Sequence, residues 1–149
     1  MEYLIREFED NDIHMLVQLC ERHALYEGAR YDSKDKEKLL VQALASTTPP
    51  LTCWVVVIDH TVVGYLTYTV DFSTWDAKYF LHMDCLFLDE KFRGYGIGKA
   101  IINRLKKEAN RLACINIQWQ TPTSNVEAIR FYNKIGGLSL DKKRFFLLP

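Results

Sequence analysis

Arg93-Gly94-Tyr95-Gly96-Ile97-Gly98-Lys99-Ala100 follows a long apolar run at 79–88 and opens a run of helical periodicity at 97–112. A glycine-rich turn between a strand and a helix gathers backbone N–H groups at the positive end of the helix dipole. Such a turn binds phosphate or pyrophosphate. A dinucleotide-binding turn needs G-x-G-x-x-G, but here the third glycine comes one residue early, at Gly98. A P-loop needs a glycine five residues before its Gly-Lys pair and Ser or Thr after it, and Arg93 and Ala100 stand there instead. The spacing that fits is R-x-x-G-x-G, on Arg93, Gly96 and Gly98. A plain strand-to-helix turn that uses glycines for tight geometry would carry the same residues.

A second stretch lies about thirty residues on: Ser124-Asn125-Val126-Glu127-Ala128-Ile129-Arg130-Phe131-Tyr132-Asn133-Lys134-Ile135-Gly136. Ser124 and Glu127 form a capping-box pattern, so a helix starts here. Val126, Ile129 and Tyr132 fall at helical spacing, and Gly136 or Gly137 ends the helix with a left-handed residue. An amphipathic helix with a core tyrosine would show the same pattern. The two stretches together, in this order, resemble the GNAT superfamily of N-acetyltransferases. The first is similar to its acetyl-CoA pyrophosphate loop and the second to its N-x-x-A-x-x-F-Y-x-x-x-G segment.

The resemblance implies acetyl-CoA as co-substrate and no metal. It gives Gly94, Tyr95, Gly96, Ile97, Gly98 and Lys99, with Arg93, to the pyrophosphate. It gives the backbone of Leu86, Phe87 and Leu88 to the pantetheine arm and the thioester carbonyl. Asn125, Ala128 and Phe131 would line the cofactor channel, and Tyr132 would protonate the departing thiolate.

Composition agrees with one domain over 1–149. Hydrophobic residues make up 48% of the chain, and 19 Lys+Arg balance 19 Asp+Glu. Zero net charge argues against a general nucleic-acid or membrane-surface binder. No segment is long and apolar enough to span a bilayer, and Met1-Glu2-Tyr3-Leu4 does not open a signal peptide. Cys20, Cys53, Cys85 and Cys114 are widely separated, with no C-x-x-C pair. They read as buried free thiols in a reducing cytoplasm.

The order of elements reads β-α-α-β-β-β-α-β-α-β. Residues 3–8 suit a short strand. Asp12 can cap a helix with Ile13, Leu16, Val17, Cys20 and Ala24 on one face, stopped by Gly28. Ser33 can cap a second helix carrying Leu39, Leu40, Ala43 and Leu44, ended by Pro49-Pro50. Strands follow at 53–58 and 62–70, joined by a tight Asp59-His60 turn, and at 79–88. After the glycine loop comes a helix with Ile97, Ile101, Leu105 and Ala109 on one face. Residues 115–120 alternate as a strand, and 143–148 would close the sheet. This is the GNAT order, so the resemblance covers nearly the whole chain and implies an α+β fold with a mixed, mostly antiparallel sheet flanked by helices.

Within the superfamily, the details resemble the diamine (spermidine/spermine) and thialysine acetyltransferase branch. Leu25-Tyr26-Glu27 is similar to that branch's substrate-contacting Tyr-Glu pair, and the stretch 68–75 to its aromatic strand and turn. Residues 81–88 align without gaps to the strand before the loop, which places Asp84 where the branch has a substrate-contacting glutamate, one methylene longer. Cys85 stands where an acid often follows. Gln118, Trp119 and Gln120 complete the substrate-side set by a looser match. Tyr26, Glu27 and Asp84 would therefore hold a small primary amine (a polyamine, diamine or thialysine-like amino acid), and Asp84 would be catalytic with Tyr132, leading the amine's proton to water alone or through an ordered water chain. A protein amino group, an aminoglycoside, or a non-catalytic acyl-CoA-binding role stay open as alternatives. Asp84 could equally be a strand carboxylate paired with a lysine or arginine. Relatives in this branch are dimers, so a homodimer is expected. The four histidines show no metal-ligand pairing. His14 and His23 read as solvent-facing, His60 as a turn residue, and His82 as a hydrogen-bonded neighbour of Asp84.

Overall fold

The computed structural model describes residues 1–149, and its frame is a five-stranded sheet with the strands side by side in sequence order. β1 (Leu4–Glu7), β2 (Thr52–Ile58), β3 (Thr61–Ser73) and β4 (Lys78–Leu88) run antiparallel, and β5 (Ile117–Gln118) joins β4 in parallel. Asp59 and His60 make the β2–β3 turn with φ of 47° and 62°, the mirror-image geometry that matches the twist of a two-residue hairpin.

Four helices cover the two faces: α1 (Ile13–Tyr26), α2 (Lys36–Leu44), α3 (Ile97–Arg111) and α4 (Val126–Lys134). Leu16 and Leu19 of α1, with Leu44 of α2 behind them, pack on Cys53, Val55, Val62, Tyr65 and Phe87. On the other face, Ile97, Ile101, Leu105 and Ala109 of α3 pack on Trp54, Val56, Leu66, Leu81 and Met83, with Phe131, Tyr132 and Ile135 of α4 beside them. The helical stripe read from the sequence for α3 is buried as expected.

β4 carries one irregularity. Thr67 pairs with Cys85 and Tyr68 with Met83, so Asp84 is an extra residue, a β-bulge. Side chains alternate faces along a strand, and an extra residue inverts that alternation. Leu81 and Met83 before the bulge share the α3 face with Leu86 and Leu88 after it, whereas Cys85 and Phe87 turn to the α1 face.

Several expectations fail locally. Residues 143–148 form no strand: Phe145, Phe146, Leu147 and Leu148 are 84–95% exposed and lie in irregular chain. Ser124 does not cap α4. Asn125 does, its side-chain oxygen accepting from the Ala128 N–H at 3.3 Å. Val126 is consequently exposed, and the buried side of α4 is shifted to Ile129, Phe131, Tyr132 and Ile135. Asp12 is spent elsewhere, on the Glu9 N–H at 2.8 Å and on Arg6 at 2.6 Å, so its carboxylate does not cap α1. The residue before α2 is Asp35, in a left-handed conformation, rather than Ser33, and Leu39 is exposed. Gly136 does end α4 in the left-handed region, with the Gly137 N–H returning to Tyr132 O at 2.9 Å.

Candidate active site

The loop at 93–99 turns on glycines and leaves its backbone N–H groups free. Gly94 and Gly96 sit at φ of 86° and 81°, a region that side chains with a Cβ rarely enter. Gly96 precedes α3, whose first turn has no preceding carbonyls to bond. None of the backbone N–H groups of residues 94–99 donates to an acceptor in the chain, and the first helical bond is Ala100 N–H to Gly96 O. Unpaired donors at a helix start are what a pyrophosphate requires. Gly98 answers a second need, because a Cβ there would lie 3.1 Å from the Phe131 ring. The loop is thereby seated against α4. Tyr95 and Lys99 are exposed on it.

The Arg93 side chain turns back from the loop. Its Nε donates to Leu88 O at 2.9 Å, its guanidinium lies 4.7 Å over the Tyr26 ring, and Nη1 is 3.5 Å from Glu127. Tyr26 donates its hydroxyl to the same Glu127 at 2.9 Å. The end of α1 and the start of α4 therefore meet across the mouth of the groove, which Glu90 and Arg130 also line. Tyr26, read as a substrate residue, stands at the cofactor loop.

The groove itself comes from parting strands. β5 pairs with β4 only at Leu81–Ile117 and His82–Gln118. Beyond His82 that edge of β4, which includes Leu86, Phe87 and Leu88, has no strand partner, and at Leu88 the carbonyl accepts from Arg93. Tyr132 and Trp119 meet edge-to-face with ring centroids 5.1 Å apart, and the Phe131 ring lies 5.4 Å from that of Tyr132. Burial, then the nearby Glu27 and Cys85, pushes the Tyr132 phenol up to about 12. Asn125 is largely committed to capping, since its amide also donates to Thr121 Oγ1 at 3.2 Å.

Near Glu27 and Asp84 the structure brings His23, Tyr65, Thr67 and Cys85. His23 is not solvent-facing: its side chain is 14% exposed. Nδ1 lies 2.8 Å from the Tyr65 hydroxyl and Nε2 3.3 Å from Glu27 Oε1, while the ring stacks on Phe87 at 5.1 Å. Cys85 follows the bulge. Burial and then Asp84 raise its thiol to about 12. Asp84, Cys85, Tyr65 and Thr67 line a small cavity of about 100 Å³, closed by Leu16, Leu40 and Leu44. The Thr67 hydroxyl, buried there, has no hydrogen-bond partner. Asp84 makes no ion pair with a lysine or arginine. Gln118 and Gln120 are exposed, and Gln118 is tied to Asn116 at 3.1 Å. No group of three or more His, Cys, Asp or Glu side chains gathers as a metal site.

Known proteins share this arrangement of chain. Residues 10–137 match the acetyltransferase (GNAT) family. Bovine thialysine N-epsilon-acetyltransferase (Bos taurus) is 26% identical over 145 residues, covering 92% of this chain and 85% of that protein. An L-ornithine N5-acetyltransferase of Arabidopsis thaliana is 28% identical over 78 residues, covering 52% of this chain and 34% of that protein. The solved structure of a possible acetyltransferase from Clostridium difficile 630 superposes with a TM-score of 0.82 at 19% identity, covering 100% and 99% of the two chains. A glycine loop with unpaired amides, strands that part beside it and a tyrosine on the following helix are thus joined by similarity along most of the sequence, and the chain belongs to the GNAT family as an acetyl-CoA-dependent N-acetyltransferase.

Proposed function

We propose that the chain acetylates the side-chain amine of a small, cationic, lysine-like acceptor: a thialysine-like or ornithine-like amino acid, or a diamine or polyamine. The observation that carries this reading is the pair of carboxylates at the groove, Glu27 close enough to Tyr132 to raise its phenol and Asp84 on the bulge. Two relatives whose names specify thialysine and ornithine side-chain amines support it.

The residues divide the work by chemistry. An alkylamine of pKa near ~10.4 is protonated at neutral pH and must lose a proton before it attacks. Glu27 and Asp84 attract the ammonium. The small cavity beside Asp84, with the unpartnered Thr67 hydroxyl, has room for water. Backbone N–H groups at 86–88 polarise the thioester carbonyl, while the pantetheine arm lies along the free edge of β4 as another strand would. Residues 94–99 hold the pyrophosphate. Tyr132 protonates the thiolate.

Release of free thiol tests the reading, measured against polyamines, diamines, lysine analogues, aminoglycosides and peptides. The best acceptor is expected among the small diamines or lysine analogues. Glu27→Gln and Asp84→Asn should each raise KM for it roughly 10-fold or more without changing acetyl-CoA affinity, and Asp84→Asn should also lower kcat. Wild-type kinetics in both variants, or a preference for peptides or aminoglycosides, would overturn it.

The chain is further proposed to form a homodimer, as relatives in the resembling branch do. The exposed apolar residues 145–148 are the support from this sequence, since a partner would cover them.

A further inference from the structure

We propose that His23 is a positioning residue for acetyl transfer, holding Glu27 toward the acceptor and taking up the proton that Glu27 receives from the acceptor ammonium. The inference rests on the amine-acceptor reading for its substrate, but its structural half stands by itself.

Both ring nitrogens of His23 have partners, and the partners differ in kind. Glu27 Oε1, at 3.3 Å from Nε2, can only accept when ionised. The Tyr65 hydroxyl, at 2.8 Å from Nδ1, can donate or accept. With Glu27 ionised, the ring is fully paired as the Nε2–H tautomer and as imidazolium, and the Nδ1–H tautomer is fully paired only once Glu27 carries the proton. With the proton on Nε2, Tyr65 donates to Nδ1. With the proton on Nδ1, Tyr65 accepts, and Nε2 faces Glu27 as a free base. In the imidazolium both nitrogens donate. The Phe87 ring fixes the imidazole plane at 5.1 Å and 23°, and the 14% exposure of the side chain limits competition from water. Other groups in range are few. Glu27 comes from α1 itself, Tyr65 from β3, and the Cys85 thiol from β4 beyond Tyr65. Arg93 lies 5.5 Å over the Phe87 ring, Tyr26 of α1 packs on that ring as well, and Arg22 of α1 is paired with Asp89.

The proton balance closes with this arrangement. The acceptor R–NH₃⁺ loses one N–H proton to Glu27, which passes it to Nε2 and leaves imidazolium beside carboxylate. The freed nitrogen lone pair forms the C–N bond to the thioester carbon, and the C–S pair departs with sulfur. Tyr132 gives its phenolic proton to that sulfur and regains one from the nitrogen, which becomes the neutral amide. His23 then releases its proton to solvent through Glu27, which is 29% exposed. One proton leaves per turnover, as acetylation of an ammonium by a thioester requires.

Two measurements test the proposal. In ¹⁵N-imidazole NMR of the full chain at one fixed pH, the His23 Nε2 signal should report a hydrogen bond to Glu27, and Glu27→Gln should displace that signal. An unchanged Nε2 signal would overturn the coupling whether or not any acceptor is known. In kinetics with the best amine, His23→Gln should cut kcat/KM at least tenfold and remove one ionisation from the acidic limb of its pH profile, with acetyl-CoA affinity within twofold of wild type. An unaltered pH profile would overturn the proton role. If His23→Gln does not fold, His23→Asn takes its place, and the NMR arm on the natural sequence decides alone. Failure of the whole amine panel would sink the acceptor reading while leaving the His23–Glu27 coupling to the NMR result.

Discussion

Tyr132 is asked to keep a proton and to give it up. Burial with Glu27 and Cys85 nearby raises the phenol to about 12, so it stays loaded across the working pH range. The same shift makes it a poor donor, because a thiolate of ordinary basicity, near ~8.5 for cysteine, cannot take its proton downhill. Donation must therefore be coupled to the arrival of the second amine proton. Tyr132→Phe keeps the edge-to-face packing on Trp119 and removes only the proton, so kcat should fall roughly 10²-fold with acetyl-CoA affinity nearly unchanged. Steady-state kinetics and calorimetry would check this, and near-wild-type kcat would reduce Tyr132 to a packing residue. What is legible in the sequence is set by near neighbours along the chain: the glycines of the loop before α3 and the place of Tyr132 on α4. His23 is not among them. Its partner Tyr65 lies 42 residues away, and no periodicity on α1 reports which side of the sheet a polar ring will find. The Tyr26–Glu127 contact spans 101 residues and is equally hidden.

Elements carry the phosphate site, since its donors are backbone groups. Gly96→Asp would put a carboxylate among the free N–H groups of 94–99 and force a side chain into φ 81°, at a folding cost of about 1–2 kcal/mol. Acetyl-CoA affinity should fall more than 10-fold, while circular dichroism shows an intact fold. Unchanged affinity in a folded variant would remove the phosphate role. The pattern of elements is legible where one face is buried, as along α3, where Ile97, Ile101, Leu105 and Ala109 repeat at the helical period. It is poorly legible at ends. Caps depend on which side chain reaches which amide, so Asn125 displaces Ser124 by one position. The closing strand expected at 143–148 has strand composition, but composition gives no partner edge, and the chain past Gly137 finds none.

At the scale of the molecule, that same segment is the open question of assembly. A run of Phe and Leu at 84–95% exposure is unfavourable in water and is stabilised when covered. Light scattering at micromolar concentration should give twice the mass of the 17.4 kDa chain. Removing 145–149 should shift the equilibrium toward monomer, and a monomeric mass for the full chain would refute the dimer.

The extra residue at Asp84 has a consequence for how such a site can change. β4 is written in two frames, one up to Met83 and another from Cys85 onward, and the shift between them falls at Asp84, in the proposed acceptor site. Any substitution of Asp84 alters one side chain and leaves both frames intact. Deleting it would merge them, turning Phe87 toward α3 and Leu86 and Leu88 toward α1. His23 would lose its stacking ring and the thioester edge would present the wrong set of amides. The catalytic strand depends on a residue count as much as on residue identity, so point mutation can explore new acceptors while a single-codon loss there would end the enzyme.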